Sequence, residues 1–126
     1  MEKLILVSAL DLAKATSHRS GEVKFGEKML VVPNNQEITT FIKNCEAKFV
    51  IFGIPEDIGV RANFGRPGAN SGWQSAIKSI ANIQHNRFCK GYEVLVLGTL
   101  DVEEEMQEVQ NLDFMNTNDR KRMNEL

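Results

Sequence analysis

Two apolar runs, Phe49-Val50-Ile51-Phe52 and the YEVLVL of Tyr92–Leu97, flank an amphipathic segment, and that order constrains the fold more than any other feature. A run that is apolar at every position suits a strand covered on both faces, as parallel strands are. Parallel neighbours need a crossover of a dozen residues or more, usually a helix. Between the runs, Trp73, Ala76, Ile77, Ile80 and Ala81 share one helical face, while Gln74, Lys78 and Ser79 lie away from it. Ser71 and Gln74 have the S-x-x-Q spacing of a capping box. The centre therefore reads strand, loop, helix, strand: one right-handed βαβ unit.

Upstream, Ile38, Phe41, Ile42 and Cys45 mark a second amphipathic helix, with Asn34 or Asn35 as its expected cap. Residues 1–34 read as a lead-in. Within it Ser8 and Asp11 suit the start of a short helix over Ala9–Thr16, and Val23–Val32 is either a hairpin about Gly26-Glu27 or an extended segment. Residues 35–100 hold the helix-strand-loop-helix-strand centre. Residues 101–126 read as an acidic loop or short helix around Glu103-Glu104-Glu105, then the start of a further helix capped by Asn118 or Asp119.

At 126 residues, 42 % apolar and 25 % charged, the composition is that of one globular α/β domain or part of one. A net charge of −2 carries no electrostatic footprint for nucleic acid, and Arg120-Lys121-Arg122 reads as the solvated face of a terminal helix. The apolar start (LILVSAL) is not read as a leader, because Glu2 offsets Lys3 and Asp11 interrupts the run. No segment has the length of a membrane span. Cys45 and Cys89 lack metal-ligand spacing and read as reduced thiols, so a cytoplasmic setting is expected.

The loop Gly53–Gly72 is neither a G-x-G-x-x-G fingerprint nor a phosphate loop. It follows the first strand, and open α/β sheets bind ligands beyond the carboxyl ends of their parallel strands. Arg61, Asn63 and Arg66 offer planar donors suited to a carboxylate-bearing ligand. The competing reading ties these arginines to Glu56 and Asp57 as scaffold. His18 and His85 read as surface or helix-end residues.

Ile54-Pro55-Glu56-Asp57-Ile58-Gly59, Arg61-Ala62-Asn63 and Gly65-Arg66-Pro67-Gly68-Ala69 together resemble the first strand-and-loop region of the arginase (ureohydrolase) family, in particular its formimidoylglutamase branch. The resemblance spans roughly Ala47 to Asp101, with Asn82-Ile83-Gln84, Asn86, Leu97-Gly98 and Asp101 in matching order. It implies a three-layer α/β/α fold with a mainly parallel sheet. The activity it implies is hydrolysis of a guanidino, amidino or formimino C–N bond by hydroxide bound at two manganese ions. The family's ligand segments (Gly-Gly-x-His, Asp-x-His-x-Asp and Asp-x-Asp-x-x-Asp) do not occur here. No catalytic or metal-binding residue is therefore assigned, and Arg61, Asn63 and Arg66 are the expected substrate contacts.

One βαβ unit leaves two apolar strands with open edges, which predicts self-association through them. It also favours a chain that continues past Leu126 in the native protein. The functional expectation is thus the N-terminal portion of an amidine-type hydrolase, inactive by itself, that would use two manganese ions and a small amidine substrate when complete. The alternative is a non-catalytic binding or assembly module built on the half-fold.

Overall fold

The computed structural model describes residues 3–126; Met1 and Glu2, the latter invoked above against a leader, lie outside them. The described residues form a small mixed α/β protein. Strands β1 (Leu4–Leu6), β2 (Phe49–Gly53) and β3 (Val94–Leu100) make one sheet in the order β1-β3-β2. Around it lie helices α1 (Ala9–Ala15), α2 (Ile38–Asn44), α3 (Ile58–Ala62), α4 (Gly72–Ala81), α5 (Glu103–Gln110) and α6 (Thr117–Met123). None of these helices is long and apolar enough to cross a membrane.

The parallel β2–β3 pair with α4 between them forms as the sequence implies. The sheet as a whole departs from the mainly parallel expectation. β1, drawn from the supposed lead-in, pairs antiparallel with β3, from Leu4 opposite Leu100 to Leu6 opposite Gly98. A three-residue strand shows no alternation to read, so only its tertiary partner reveals it. β3 is thereby the central strand, and the open edges belong to β1 and β2. The expectation that β2 is covered on both faces is also corrected: Phe49 is 62 %, Val50 43 % and Phe52 52 % exposed.

The main core joins Leu12 of α1, Ile77 and Ala81 of α4, Val96 of β3, and Phe25 and Met29. The demand to bury Phe25 and Met29 explains why Val23–Val32 is not a hairpin. Phe25–Glu27 is a 3-10 turn, Phe25 N donates to Ile83 O at 2.7 Å, and Leu30 bridges in parallel to Leu95. A second cluster joins Ile58 and Ala62 of α3 to Met106 and Val109 of α5 and Met123 of α6. Of the two forms expected for the acidic stretch, the short helix is the one observed, as α5, and the further helix expected after it is α6.

Helix starts follow the donors that are free. α1 has the Ser8–Asp11 capping box the sequence suggests. α2 is capped by Glu37, not Asn34 or Asn35: its carboxylate accepts from Thr39 N at 3.0 Å and Thr40 N at 2.8 Å, while Gln36 N donates to Pro33 O in the preceding turn. The Thr39 hydroxyl, with these two backbone donors and the Thr40 hydroxyl, holds the pKa of the Glu37 carboxyl down to about 2. The S-x-x-Q box at α4 does not form. A 3-10 turn over Ala69–Ser71 runs straight into the helix, so Ser71 is helical (φ −85°, ψ −4°) and its hydroxyl donates back to Gly68 O at 2.9 Å. On α4 itself Trp73, Ile77, Ile80 and Ala81 face the core and Ala76 is exposed. α6 is capped by Asn116, because Asp119 instead accepts from Asp113 N at 2.9 Å.

Gly98 is where the two pairings of β3 meet. Its φ of 140° suits only glycine, and a Cβ would press into the Ile5 carbonyl and come within 2.9 Å of Leu6 Cα. The register with β2 shifts there, Ile51 lying opposite Val96 and Phe52 opposite Gly98. Gly98→Ala is therefore expected to lower stability by about 2 kcal/mol or more in urea unfolding. A loss under about 0.5 kcal/mol, the size of an ordinary surface substitution, would contradict this register.

Candidate functional site

The segment after β2 is not a loop throughout, because it contains α3. Its centre is Asp57, whose side chain is 1 % exposed. Burying a carboxylate is tolerable only if it is paired and its oxygens accept hydrogen bonds. Arg61, one turn on in α3, donates from Nε at 2.7 Å and from a terminal nitrogen at 3.4 Å. Gly68 N donates to the second oxygen at 2.8 Å. The Arg61 hydrogen bond, the Gly68 N–H and the guanidinium charge together outweigh burial and hold the Asp57 carboxyl below its ordinary value. Glu56 caps the same helix, accepting from Ile58 N at 2.5 Å and Gly59 N at 3.3 Å.

The far end of α3 closes as a Schellman motif: Phe64 N donates to Arg61 O at 3.1 Å and Gly65 N to Val60 O at 2.7 Å. The left-handed position, usually glycine, is Phe64 (φ 61°). Its ring meets Phe114 edge-on at 6.5 Å and lies 4.6 Å from the Arg120 guanidinium, which also donates to Phe114 O at 2.9 Å. Arg122 pairs with Glu108 at 2.5 Å. The Arg120-Lys121-Arg122 triplet is thus not simply a solvated face, because two of its members tie α6 to its neighbours.

Of the sequence-predicted contacts, Arg61 is engaged by Asp57, and the Asn63 amide donates to Gly59 O at 2.9 Å. Arg66 is exposed and has no hydrogen bond or ion pair among the described residues. The structure does not gather the three around one cavity. At the carboxyl ends of β2 and β3, Pro55, Asn70, Thr99, Asp101, Glu103 and Met106 line a cavity of about 270 Å³. A neighbouring one of about 460 Å³ is lined by Asp101, Glu103, Glu104, Glu105, Gln107 and Lys3. Lys3 donates to Glu105, which raises the lysine pKa and lowers the glutamate's, while Glu105 Oε2 is buried without a hydrogen-bond partner. Asn70 is the lining residue that the sequence does not single out, whereas the pairing of Arg61 with Asp57 is the scaffold reading of that arginine. The signal for Asp57 was its i, i+4 relation to Arg61.

Among the described residues no three His, Cys, Asp or Glu side chains come together in a way that could hold a metal ion. His18 pairs with Glu27 at 3.0 Å, and His85 Nδ1 accepts from Gly91 N at 3.0 Å. These residues do not fit a paired manganese site. Cys45 and Cys89 are free thiols.

The class that the fold defines is a small α/β protein with a mixed three-stranded sheet. No family model, curated protein or solved structure matches the chain, so the comparisons add no narrower class.

Asp57→Ala is expected to cost about 3 kcal/mol at pH 7, because Arg61 and Gly68 N lose their partner. The depressed carboxyl contributes stability that is full above its unfolded pKa, near 3.8, and is lost as pH falls through the lower folded value. Urea midpoints of the two proteins should therefore converge below about pH 4. A constant gap across that range would mean that charge pairing is not what Asp57 supplies.

Proposed function

We propose that the chain is the N-terminal portion of a three-layer arginase-like α/β domain, of the formimidoylglutamase type, that serves hydrolysis of an amidine-type C–N bond. In this reading it supplies a wall of the site and no catalytic group. The observation that carries it is the placement of the fixed segment 54–71 at the carboxyl end of β2, beside the acidic cavity at the end of β3. Asp101 and Glu103 suit an amidinium or guanidinium cation, since carboxylates accept paired N–H donors from such planar groups. Arg66, open to solvent, suits the carboxylate of such a substrate, and Arg61 and Asn63 hold the wall that presents it. In a complete domain two manganese ions would supply the attacking hydroxide. Nothing in residues 3–126 is assigned to them.

A non-catalytic binding or assembly module is the second reading. It is favoured by the exposed apolar edge of β2, which an enzyme wall does not require.

Acetamidinium added to the 126-residue chain is expected to move the amide resonances of Asn70, Asp101 and Glu103 saturably, and Asp101→Asn to abolish the effect. Manganese should give neither stoichiometric two-site binding nor amidine hydrolysis. Unchanged amide resonances would remove the support for the amidine reading. Tight binding of two manganese ions would overturn the assignment of the ligands to sequence outside this chain.

A further inference from the structure

We propose that the turn at residues 86–89, with Phe88 at its tip and Arg87, Lys90 and Lys28 around it, binds single-stranded nucleic acid. The ring stacks on one base and the cations hold the adjacent phosphates. This surface lies at the amino ends of β2 and β3, away from the acidic cavities, and its role is independent of the hydrolase reading.

Phe88 is 83 % exposed, more than any other large apolar side chain among the described residues. Its backbone holds it there. Asn86 Oδ1 accepts from Phe88 N at 2.8 Å and from Cys89 N at 3.0 Å, and Asn86 N donates to Cys89 O at 3.0 Å. The base of the loop is pinned by Phe25 N to Ile83 O at 2.7 Å and by His85 N to Val23 O at 2.8 Å. The Arg87 guanidinium lies over the ring, 4.5 Å from its centroid, and leaves the opposite face to solvent.

The acids nearby are already taken. Glu22 pairs with Lys24 at 2.9 Å, Glu27 with His18 at 3.0 Å and Glu93 with Lys48 at 2.6 Å. Arg87, Lys90 and Lys28 have no ion pair among the described residues. Lys28 belongs to the same surface, since a Cβ on Gly91 would come within 2.8 Å of Lys28 Cβ. The net charge of −2 does not oppose an anion here, because the acidic stretch 101–105 lies past the other end of β3. The seven residues of β3 put about 23 Å between the two ends, more than twice the ~8 Å screening length at physiological salt.

The ring and its guanidinium choose among anionic partners. An acidic peptide would use the cations and leave the ring idle. An anionic bilayer would take up the ring but would draw the guanidinium stacked on it toward hydrocarbon, where a charge is costly. A duplex keeps its base faces stacked inside. A single strand offers free base faces beside phosphates, the combination that aromatic side chains with Lys and Arg recognise whatever the sequence. One stacked ring and three cations make a short site, so binding is weak and sensitive to salt.

The test is fluorescence anisotropy of a labelled oligothymidylate about 12 nucleotides long, titrated with the 126-residue chain. Saturable binding is expected at low salt with a Kd on the order of 100 μM, the weak end of non-specific affinity. The logarithm of affinity should fall with the logarithm of salt at a slope of about −2, from three phosphates at ~0.7 each. Phe88→Ala, at a side chain almost wholly in solvent, should weaken binding about 10-fold and leave the slope unchanged. Arg87→Gln and Lys90→Gln should each flatten the slope by about 0.7. In the unaltered chain, the amide resonances of Arg87 and Phe88 should move with the oligomer, a readout that needs no variant. Absence of binding at low salt, affinity indifferent to Phe88→Ala, or equal binding to phosphatidylserine vesicles or polyglutamate would each overturn the proposal.

Discussion

A carboxylate placed where water cannot reach it dictates the arrangement of everything near it, and in this protein that group is Asp57. With its side chain 1 % exposed, it stays charged only because the Arg61 guanidinium and the Gly68 N–H converge on it. Arg61 lies one turn beyond Asp57 in α3, and Gly68 lies near the far end of the segment that follows β2. Satisfying the carboxylate therefore folds Ile54–Ser71 back on itself. Gly68, with a φ of 130°, supplies the backbone turn that this return needs.

The consequences reach in two directions. Toward the sheet, the return feeds directly through the Ala69–Ser71 turn into α4, whose Ile77 and Ala81 close the main core with Leu12 and Val96. Toward the C-terminus, α3 presents Ile58 and Ala62 to Met106, Val109 and Met123. The Phe64 ring, held in a left-handed position that costs a side chain about 1–2 kcal/mol, is anchored between Phe114 and Arg120. α5 and α6 are thus held by the same element that Asp57 fixes. Their attachment places Asp101 and Glu103 beside the end of β2, where the cavity of about 270 Å³ lies.

The parts of this structure that follow from local pattern were legible in the sequence. The continuous apolar runs mark β2 and β3, helical spacing marks α2 and α4, the Ser8–Asp11 pair marks the start of α1, and both strands lie parallel with α4 between them. Pairing choices made by tertiary context were not legible. Leu4–Leu6 is too short to carry a period, and it becomes a strand only because β3 has a second edge to fill. Beyond α1, whose Ser8–Asp11 cap was legible, cap identity depended on context for a similar reason. Glu37, Ser71, Asn116 and Asp119 each bond to whichever donor or acceptor the preceding turn leaves free. At the site, the spacing of Arg61 to Asp57 was visible, but burial of the carboxylate decides the question, and burial depends on elements far along the chain. Of the three expected contacts, Arg66 alone keeps its side chain without a protein partner among the described residues.

The claim on which the rest depends is that Asp57 is buried, charged and tied to both Arg61 and Gly68. The direct measurement is a carbon-13 titration of the Asp57 carboxyl by NMR, with the amide shift of Gly68 followed in the same samples. The account predicts a midpoint below the ordinary 3.8, with the Gly68 amide moving in step as the carboxyl takes up its proton. A midpoint at or above that value, or a Gly68 amide that does not respond, would contradict it.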